Sequence, residues 1–384
     1  MIRVSSPHIA IVGGGPGGLL LARVLQRHGV NATVYERDSS RHIGRQGGSL
    51  DLHAETGQRA LREAGLEDEF WRIARADSQS FRILNKNGHV VANWSAPPGQ
   101  MPRPEVDRAA LRGVLLDSLS PGTVRWNSQL ASLTPLAGDR WRLGFRDGLS
   151  VEADWVVGAD GGRSRVRPVV SDAQPVYTGV TFISADIADA DARQPEVAEL
   201  VGTGRMFALG DGQGILLGRM GNGTVSGYIG LQVPADWMSA SGLSFDRSET
   251  LRAVLLERFA DWDPALTAII RAADEPLSPI PINTLPAGLR WQHRPGVTLL
   301  GDAAHLMSSF AGVGVNLALL DALELGLALA VSGDVSAAVP EFEAKMQERA
   351  APYCELALMN QKRCFAPDGA QEMARMLSRQ APPS

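Results

Sequence analysis

The segment from Ile9 to Glu36, IAIVGGGPGGLLLARVLQRHGVNATVYE, constrains the fold more than any other part of the chain. Its apolar run Ile9 to Val12 predicts a buried parallel strand, a helix-period stretch follows, and Ala32 to Tyr35 predicts a second strand that ends at Glu36. Between the first strand and the helix, Gly13, Gly15 and Gly18 fall at the G-x-G-x-x-G spacing. Gly13 permits a tight turn, Gly15 lets the backbone approach a pyrophosphate, and Gly18 lets helix and strand pack closely. The helix start adds free N–H groups and a positive dipole end. Glu36 is placed to accept a hydrogen bond from a ribose 2′-OH, and its charge disfavours a 2′-phosphate, so FAD or NAD fits this turn and NADP does not. Glycines alone would indicate only a turn; with both strands, the helix and the acid in register they indicate a dinucleotide site.

The whole chain excludes several other classes. Its 384 residues can hold two or three domains, or one large core with an inserted layer. A net charge of −5 gives a phosphate backbone no electrostatic help, so no nucleic-acid partner is expected. Cys354 and Cys364 lack metal-ligand spacing and cannot build a disulfide framework, which points to a reducing compartment and no metal site. No apolar signal core precedes Ile9, and the apolar stretch Leu317 to Val331 is interrupted by Asp321 and Glu324, so no membrane span is expected. A cytoplasmic monomer is the expectation.

Further along, Arg45 and Gly47-Gly48 precede a short strand (Ser49 to Leu52); Arg45 is either a phosphate contact or a solvated arginine. A helix is predicted over Thr56 to Ala64, closed by Gly65. Phe81 to Leu84 and Val90 to Trp94 predict a hairpin joined at Asn87-Gly88 by a two-residue primed turn. Asp107 is the expected N-cap of a helix carrying Leu111, Leu115 and Leu119 on one face. Arg108 in its first turn opposes the helix dipole and hints at an anionic partner. Short strands are expected around Val124, Leu130, Trp141 and Val151, and Trp155 to Val157 predicts a buried strand followed by Asp160-Gly161, Ser164 and Arg167. From Gly179 to Pro281 alternating stretches predict an inserted antiparallel sheet with one helix near Ser248 to Phe259. Val297 to Leu300 then leads to Gly301-Asp302, and Gly312 and Gly314 open a helix reaching Val331. Asp302 can accept from a ribitol hydroxyl, and the N–H groups at that helix start can face an anion or ring edge. His305 reads as a structural hydrogen-bonder more readily than as a general base. A helix from Val339 to about Cys364 and another around Ala370 to Leu377 end the chain.

The three motifs in order, G-x-G-x-x-G with Glu36-Arg37, Asp160-Gly161, and Gly301-Asp302-Ala303-Ala304-His305, resemble the single-component FAD aromatic hydroxylases of the p-hydroxybenzoate hydroxylase type. The runs GGSLDLH, PEVDRAALR, FADWD, GDAAHLM and a C-terminal F-x-P-D are similar to the branch of tetracycline-inactivating flavin monooxygenases. The resemblance implies an α/β fold: a Rossmann-like FAD-binding domain (1–80, 98–178 and 285–338), an inserted substrate sheet (81–97 and 179–284) and a C-terminal helical segment (339–384). It also implies that Glu36, Arg37, Asp51, Arg108 and Asp302 contact FAD, that Gly312, Val313, Gly314 and Asn316 flank the isoalloxazine, and that Arg45 lies near an NADPH-contacting position. On the substrate side it implies Arg205, Phe310, Gly312 and Asn360. Departures fall here: Ser184 and Ser226 stand where the branch has glutamine and histidine, Cys364 replaces a methionine, Ser308-Ser309 replace two prolines, and Val313 replaces a glutamine.

The implied activity is an NAD(P)H- and O₂-consuming monooxygenase in which a flavin C4a-hydroperoxide hydroxylates a phenolic or polycyclic small molecule, an aromatic or polyketide compound, with tetracyclines as candidates. Tightly bound FAD and transient NADPH are the expected cofactors, and no protein nucleophile is needed. Two alternatives stay open: an epoxidase or Baeyer–Villiger-type oxygenase on the same scaffold, and a non-catalytic flavoprotein that sequesters a drug.

Overall fold

The computed structural model describes residues 8–43, 48–75, 80–95, 103–242, 247–332 and 335–380. In chain order the strands are β1 (Ile9–Val12), β2 (Ala32–Tyr35), β3 (Ser49–Asp51), β4 (Ser80–Asn85), β5 (Val90–Ser95), β6 (Glu105–Asp107), β7 (Val124–Arg125), β8 (Leu130–Pro135), β9 (Trp141–Phe145), β10 (Ser150–Ala153), β11 (Trp155–Gly158), β12 (Val176–Ile187), β13 (Arg205–Gly210), β14 (Gln213–Arg219), β15 (Val225–Gln232), β16 (Pro279–Thr284) and β17 (Val297–Leu299). The helices are α1 (Pro16–Arg27), α2 (Arg59–Glu63), α3 (Glu67–Ile73), α4 (Arg108–Asp117), α5 (Ala190–Arg193), α6 (Pro195–Val201), α7 (Trp237–Ala240), α8 (Ser248–Arg258), α9 (Pro264–Ala272), α10 (Asp302–His305), α11 (Gly314–Val331), α12 (Val335–Cys364) and α13 (Gly369–Gln380).

The apolar first strand sits inside a parallel sheet of order β17-β11-β1-β2-β7. Ile9 pairs with Trp155 on one side and Ala32 on the other, and all four residues of β1 are buried. Covered on both faces, such strands need no polar alternation, which is why IAIV reads as a continuous apolar run. The helix α1 crosses α11 where Gly326 lies against Val24; a Cβ there would come within 2.6 Å of a Val24 methyl. Among the described residues α11 is the one helix long and apolar enough to cross a membrane, and 56% of it is buried within this core.

The second large sheet has the order β16-β12-β15-β14-β13-β4-β5. It is antiparallel except that β4, arriving from another part of the chain, runs parallel to β13. Side chains alternate between faces along each strand. Ile183, Ala185, Met206, Leu217 and Ile229 point to a dry core with Val201, Leu255 and Ile270 from α6, α8 and α9 and with Phe259 just after α8. The alternate residues Phe182, Phe207, Leu216 and Tyr228 face the other way, toward Phe310, Phe365 and α13. The α/β architecture, with a Rossmann-like sheet, an inserted sheet and C-terminal helices, is the one expected.

Local expectations differ in three places. The hairpin connection is three residues, Lys86 to Gly88, with Asn85 N donating to His89 O at 3.0 Å; Gly88 alone has positive φ (+74°), the geometry of a turn closed by a bulge and not of a primed two-residue turn. Asp107 precedes α4 but does not cap it, because its carboxylate pairs with Arg75 at 2.8 Å and accepts from Gly221 N at 3.2 Å. The inserted region holds α5, α6, α7 and α9 besides the expected α8. Helix α9 carries a start signal in the sequence: Asp263 accepts from Ala265 N at 2.8 Å and Pro264 takes the first helical position.

Candidate functional site

The glycine turn is built by close approach. A Cβ on Gly13 would lie 2.3 Å from Ala159 O, and one on Gly18 would lie 2.1 Å from Gly13 O, so neither position admits a side chain. Gly15 has nothing within 4 Å of that point, leaving an open approach to the start of α1, which no side chain caps. Uncapped N–H groups facing open space suit a pyrophosphate. Glu36 is buried and its two oxygens accept from Gly14 N at 2.6 Å and Asp38 N at 2.9 Å. The acid therefore shapes the turn as well as presenting its remaining lone pairs; Arg37 beside it is exposed. The α4 residue Arg112 was not singled out in the sequence, yet it lies one turn beyond Arg108, donates to Arg41 O at 2.9 Å and sits over the Trp126 ring. Behind the turn, Asp160 accepts from Arg165 N at 2.7 Å, while its buried Oδ1 has no partner among the described residues. Arg167 ties this segment to α10 by donating to Gly162 O at 2.7 Å and Ala303 O at 3.1 Å.

Across the cleft, Gly301 holds a positive φ (+58°) and leads into Asp302. Asp302 is accessible, yet burial raises its pKa against the lowering fields of His305 and Arg108. Asp302 thus keeps contact with solvent while protein surrounds most of it. A Cβ on Gly314 would lie 4.0 Å from Asp302 Oδ1, and one on Gly312 would lie 3.8 Å from Asp51 Oδ1. The two carboxylates thus flank the uncapped start of α11. Beneath them His305 Nε2 meets Asp321 Oδ2 at 2.6 Å, and Asp321 also takes Gly301 N–H and Arg349 at 2.9 Å. Burial alone would lower the His305 pKa, but Asp321 holds it above its ordinary value. His305 is buried within this network, the place of a structural hydrogen-bonder more than of a general base.

The face of the large sheet turned toward Phe310, Phe365 and α13, the cavity face in the role proposed for it below, is aromatic. Phe182 and Tyr228 stack at 4.8 Å, Phe81 meets Phe207 edge-on at 4.8 Å, and Phe310 lies 5.8 Å from both Phe182 and Phe365. One register row across the strands is polar: Arg205, Gly218, Ser226 and Asp186. Arg205 reaches across the cleft to Asp51 at 3.3 Å and to Glu105. Burial would raise the Asp51 pKa, yet His53 and Arg205 hold its carboxyl down at about 2. Glu105 and His53 were not picked out from the sequence; Glu105 lies three residues before Arg108, but nothing in that spacing signals its distant partner.

Other expected site residues are engaged internally. The Asn316 amide donates to Asp51 O at 2.9 Å and accepts from His53 N at 2.8 Å, so only its backbone is left to face a cofactor. Val313 is buried against Leu317 and Ala357. Ser184 accepts from Ser278 N at 3.0 Å, and Ser226 donates to Asp186. Asn360 donates to Phe310 O at 3.0 Å, fixing the turn that carries that ring. Cys364 has no accessible surface, its thiol is pushed up to about 12 by burial, and it packs with the aromatic wall. Arg45 lies outside the described residues. A separate open cavity of about 810 Å³ near α6 is lined by Arg219 and Arg75, which are already paired with Asp191 and Asp107.

These residues fit FAD: an open pyrophosphate approach, an acid at the end of β2, an orphaned Asp160 oxygen, and Asp302 on the cleft floor beside a free helix start. Residues 7–351 match the model of the family described as FAD binding domain. The chain belongs to that family. The flavoenzyme is 30% identical to the monooxygenase penA of Penicillium thymicola, over 98% of this chain and 100% of that protein. The structure of Klebsiella pneumoniae HpxO complexed with FAD and uric acid covers 98% of the flavoenzyme and 93% of its own chain, at 25% identity and a TM-score of 0.80. The tetracycline destructase Tet(51) superposes with a TM-score of 0.72 over 99% of this chain and 100% of its own, but at 17% identity that likeness shows the fold alone. The flavoenzyme is an FAD-dependent monooxygenase of the aromatic hydroxylase family; the finer tetracycline branch does not follow from these comparisons.

Proposed function

We propose that this monooxygenase inserts oxygen into a planar phenolic or polycyclic small molecule held on the cavity face of the large sheet, with NADPH as transient reductant. The observation that carries the reading is the continuity of the aromatic wall with the cofactor cleft. Phe310 belongs to the wall, and two residues later Gly312 lies beside Asp51 at the start of α11. FAD, when bound, would supply the redox chemistry by which two electrons from a nicotinamide reduce O₂, one oxygen atom entering the substrate and the other leaving as water.

The chain's residues orient and shield. The start of α1 would hold the pyrophosphate, Glu36 and Asp302 would accept from sugar and ribityl hydroxyls, and the N–H groups at the start of α11 would serve the ring system. The partly accessible Phe207, Tyr228 and Phe310 rings would stack on a planar substrate, with buried Phe182 packed against Tyr228 and Phe310, and keep water from the reacting atoms. A protein nucleophile has no part, in keeping with His305 lying buried on Asp321. Tetracyclines belong to the class to be tested, supported by the shared runs in the sequence and the common fold.

The test is NADPH oxidation by the purified yellow protein under air, with a panel of phenols, polyketides and a tetracycline, followed by product mass. Faster oxidation together with a gain of one oxygen atom is expected for at least one planar compound. Retained FAD, perturbed on ligand binding but never producing an oxygenated product, would instead mark a sequestering flavoprotein.

A further inference from the structure

We propose that the aromatic site selects an uncharged ring and rejects its carboxylate counterpart, because Arg205, the guanidinium a carboxylate would need, is already paired with two carboxylates of the chain itself. This rests on the reading of the sheet face as the substrate site and names the substrate class that face admits.

Arg205 lies on the polar register row at the edge of the aromatic floor, with room to lie across Gly218, where a Cβ would sit 3.7 Å from its Cγ. One of its terminal nitrogens serves both Glu105 Oε1 and Asp51 Oδ1. Neither acid is free to turn away. Glu105 is buried, and its other oxygen accepts from the Ser49 hydroxyl, which in turn accepts from Arg75 at 2.8 Å. Asp51 has its second oxygen on His53 Nε2 at 3.2 Å.

The formal charges of Arg205, Asp51 and Glu105 sum to −1; protonation of His53 would bring the cluster to zero and not to a positive value. At the other end of the row Asp186 accepts from Ser226 and adds a further carboxylate. The neighbouring guanidiniums are directed elsewhere, Arg75 to Asp107 and Arg219 to Asp191, while Arg108 acts on Asp302. A carboxylate entering beside Arg205 would therefore meet a like charge in a partly desolvated place, or would have to displace Glu105 and leave it buried and unpaired. An uncharged ring meets neither cost. Its face stacks on Phe207 or Tyr228, and a hydroxyl or amide N–H can donate to the acid oxygens.

The experiment compares 3-hydroxybenzamide with 3-hydroxybenzoate on the FAD-loaded enzyme near pH 7.5, reading the change in flavin absorbance on titration and the stimulation of NADPH oxidation. The amide is expected to half-saturate at a concentration at least roughly tenfold lower than the carboxylate, the scale of one added like charge. Glu105→Gln, which releases Arg205 from one partner, is expected to narrow that gap toward the carboxylate while FAD is retained. Equal or tighter binding of 3-hydroxybenzoate by the unaltered enzyme overturns the inference, a comparison that needs no variant to fold. An unchanged gap in folded, flavin-loaded Glu105→Gln overturns it as well. A flavin that responds to neither ring sinks the reading of this face as the aromatic site, and the inference with it.

Discussion

The two faces of the seven-stranded sheet share every strand and almost nothing else. The face turned to α6, α8 and α9 is aliphatic, uncharged and dry. The opposite face is aromatic and half-buried, and its polar row reaches across the cleft to side chains of the cofactor half. Because neighbouring residues in a strand differ only in the side they present, one stretch of chain can carry stability and recognition at once, with substitutions in each nearly independent of the other.

The largest expected effect belongs to the dry face. Leu217→Ala should lower unfolding stability by about 2–5 kcal/mol, with FAD content and substrate KM little changed in the folded fraction. A denaturant titration measures it, and a loss well under 1 kcal/mol would show that this face is not the packed core. Phe207→Leu, on the cavity face and edge-on to Phe81, should reverse the pattern. Stability should fall by only about 1 kcal/mol while substrate KM rises several-fold. An unaltered KM would separate that ring from the substrate.

The smallest effect is a dependence on acid at the pair that Arg205 of the polar row makes with Asp51 across the cleft. The Asp51 pKa in the folded protein, about 2, lies below the ordinary carboxylate value, so its pairing contributes stability above about pH 4 and loses it as pH falls toward about 2. The drop in urea midpoint between pH 5 and pH 2.5 should therefore be smaller in Asp51→Asn than in the unaltered protein. Equal drops would assign the acid sensitivity to other groups.

The cofactor half is legible in the sequence because its decisive features are local. Gly13 and Gly18 are required by backbone atoms a few positions away or on the adjoining strand, and the motif is a fixed spacing within one β-α-β unit. Asp302 and the start of α11 are legible for the same reason. What escapes the sequence is set by side chains that meet across long stretches of chain. Asp107 looks like a helix cap until Arg75 and Gly221 claim its carboxylate, and Asn316 looks like a flavin neighbour until its amide is found bridging Asp51 and His53. Arg205 stands out in the sequence only as a candidate, and its pairing with Asp51 and Glu105 depends on how the two halves dock.

The C-terminal helices pack on the aromatic face from a part of the chain that has no share in the glycine turn. Ser308 donates to Ala357 O at 3.1 Å, Asn360 to Phe310 O and Gln361 to Thr178 O, while Phe365, Met373 and Leu377 complete the aromatic side. These contacts tie the last two helices to the aromatic face and leave the glycine turn untouched. Variation within residues 357–377 therefore reshapes that face without altering the backbone that forms the turn.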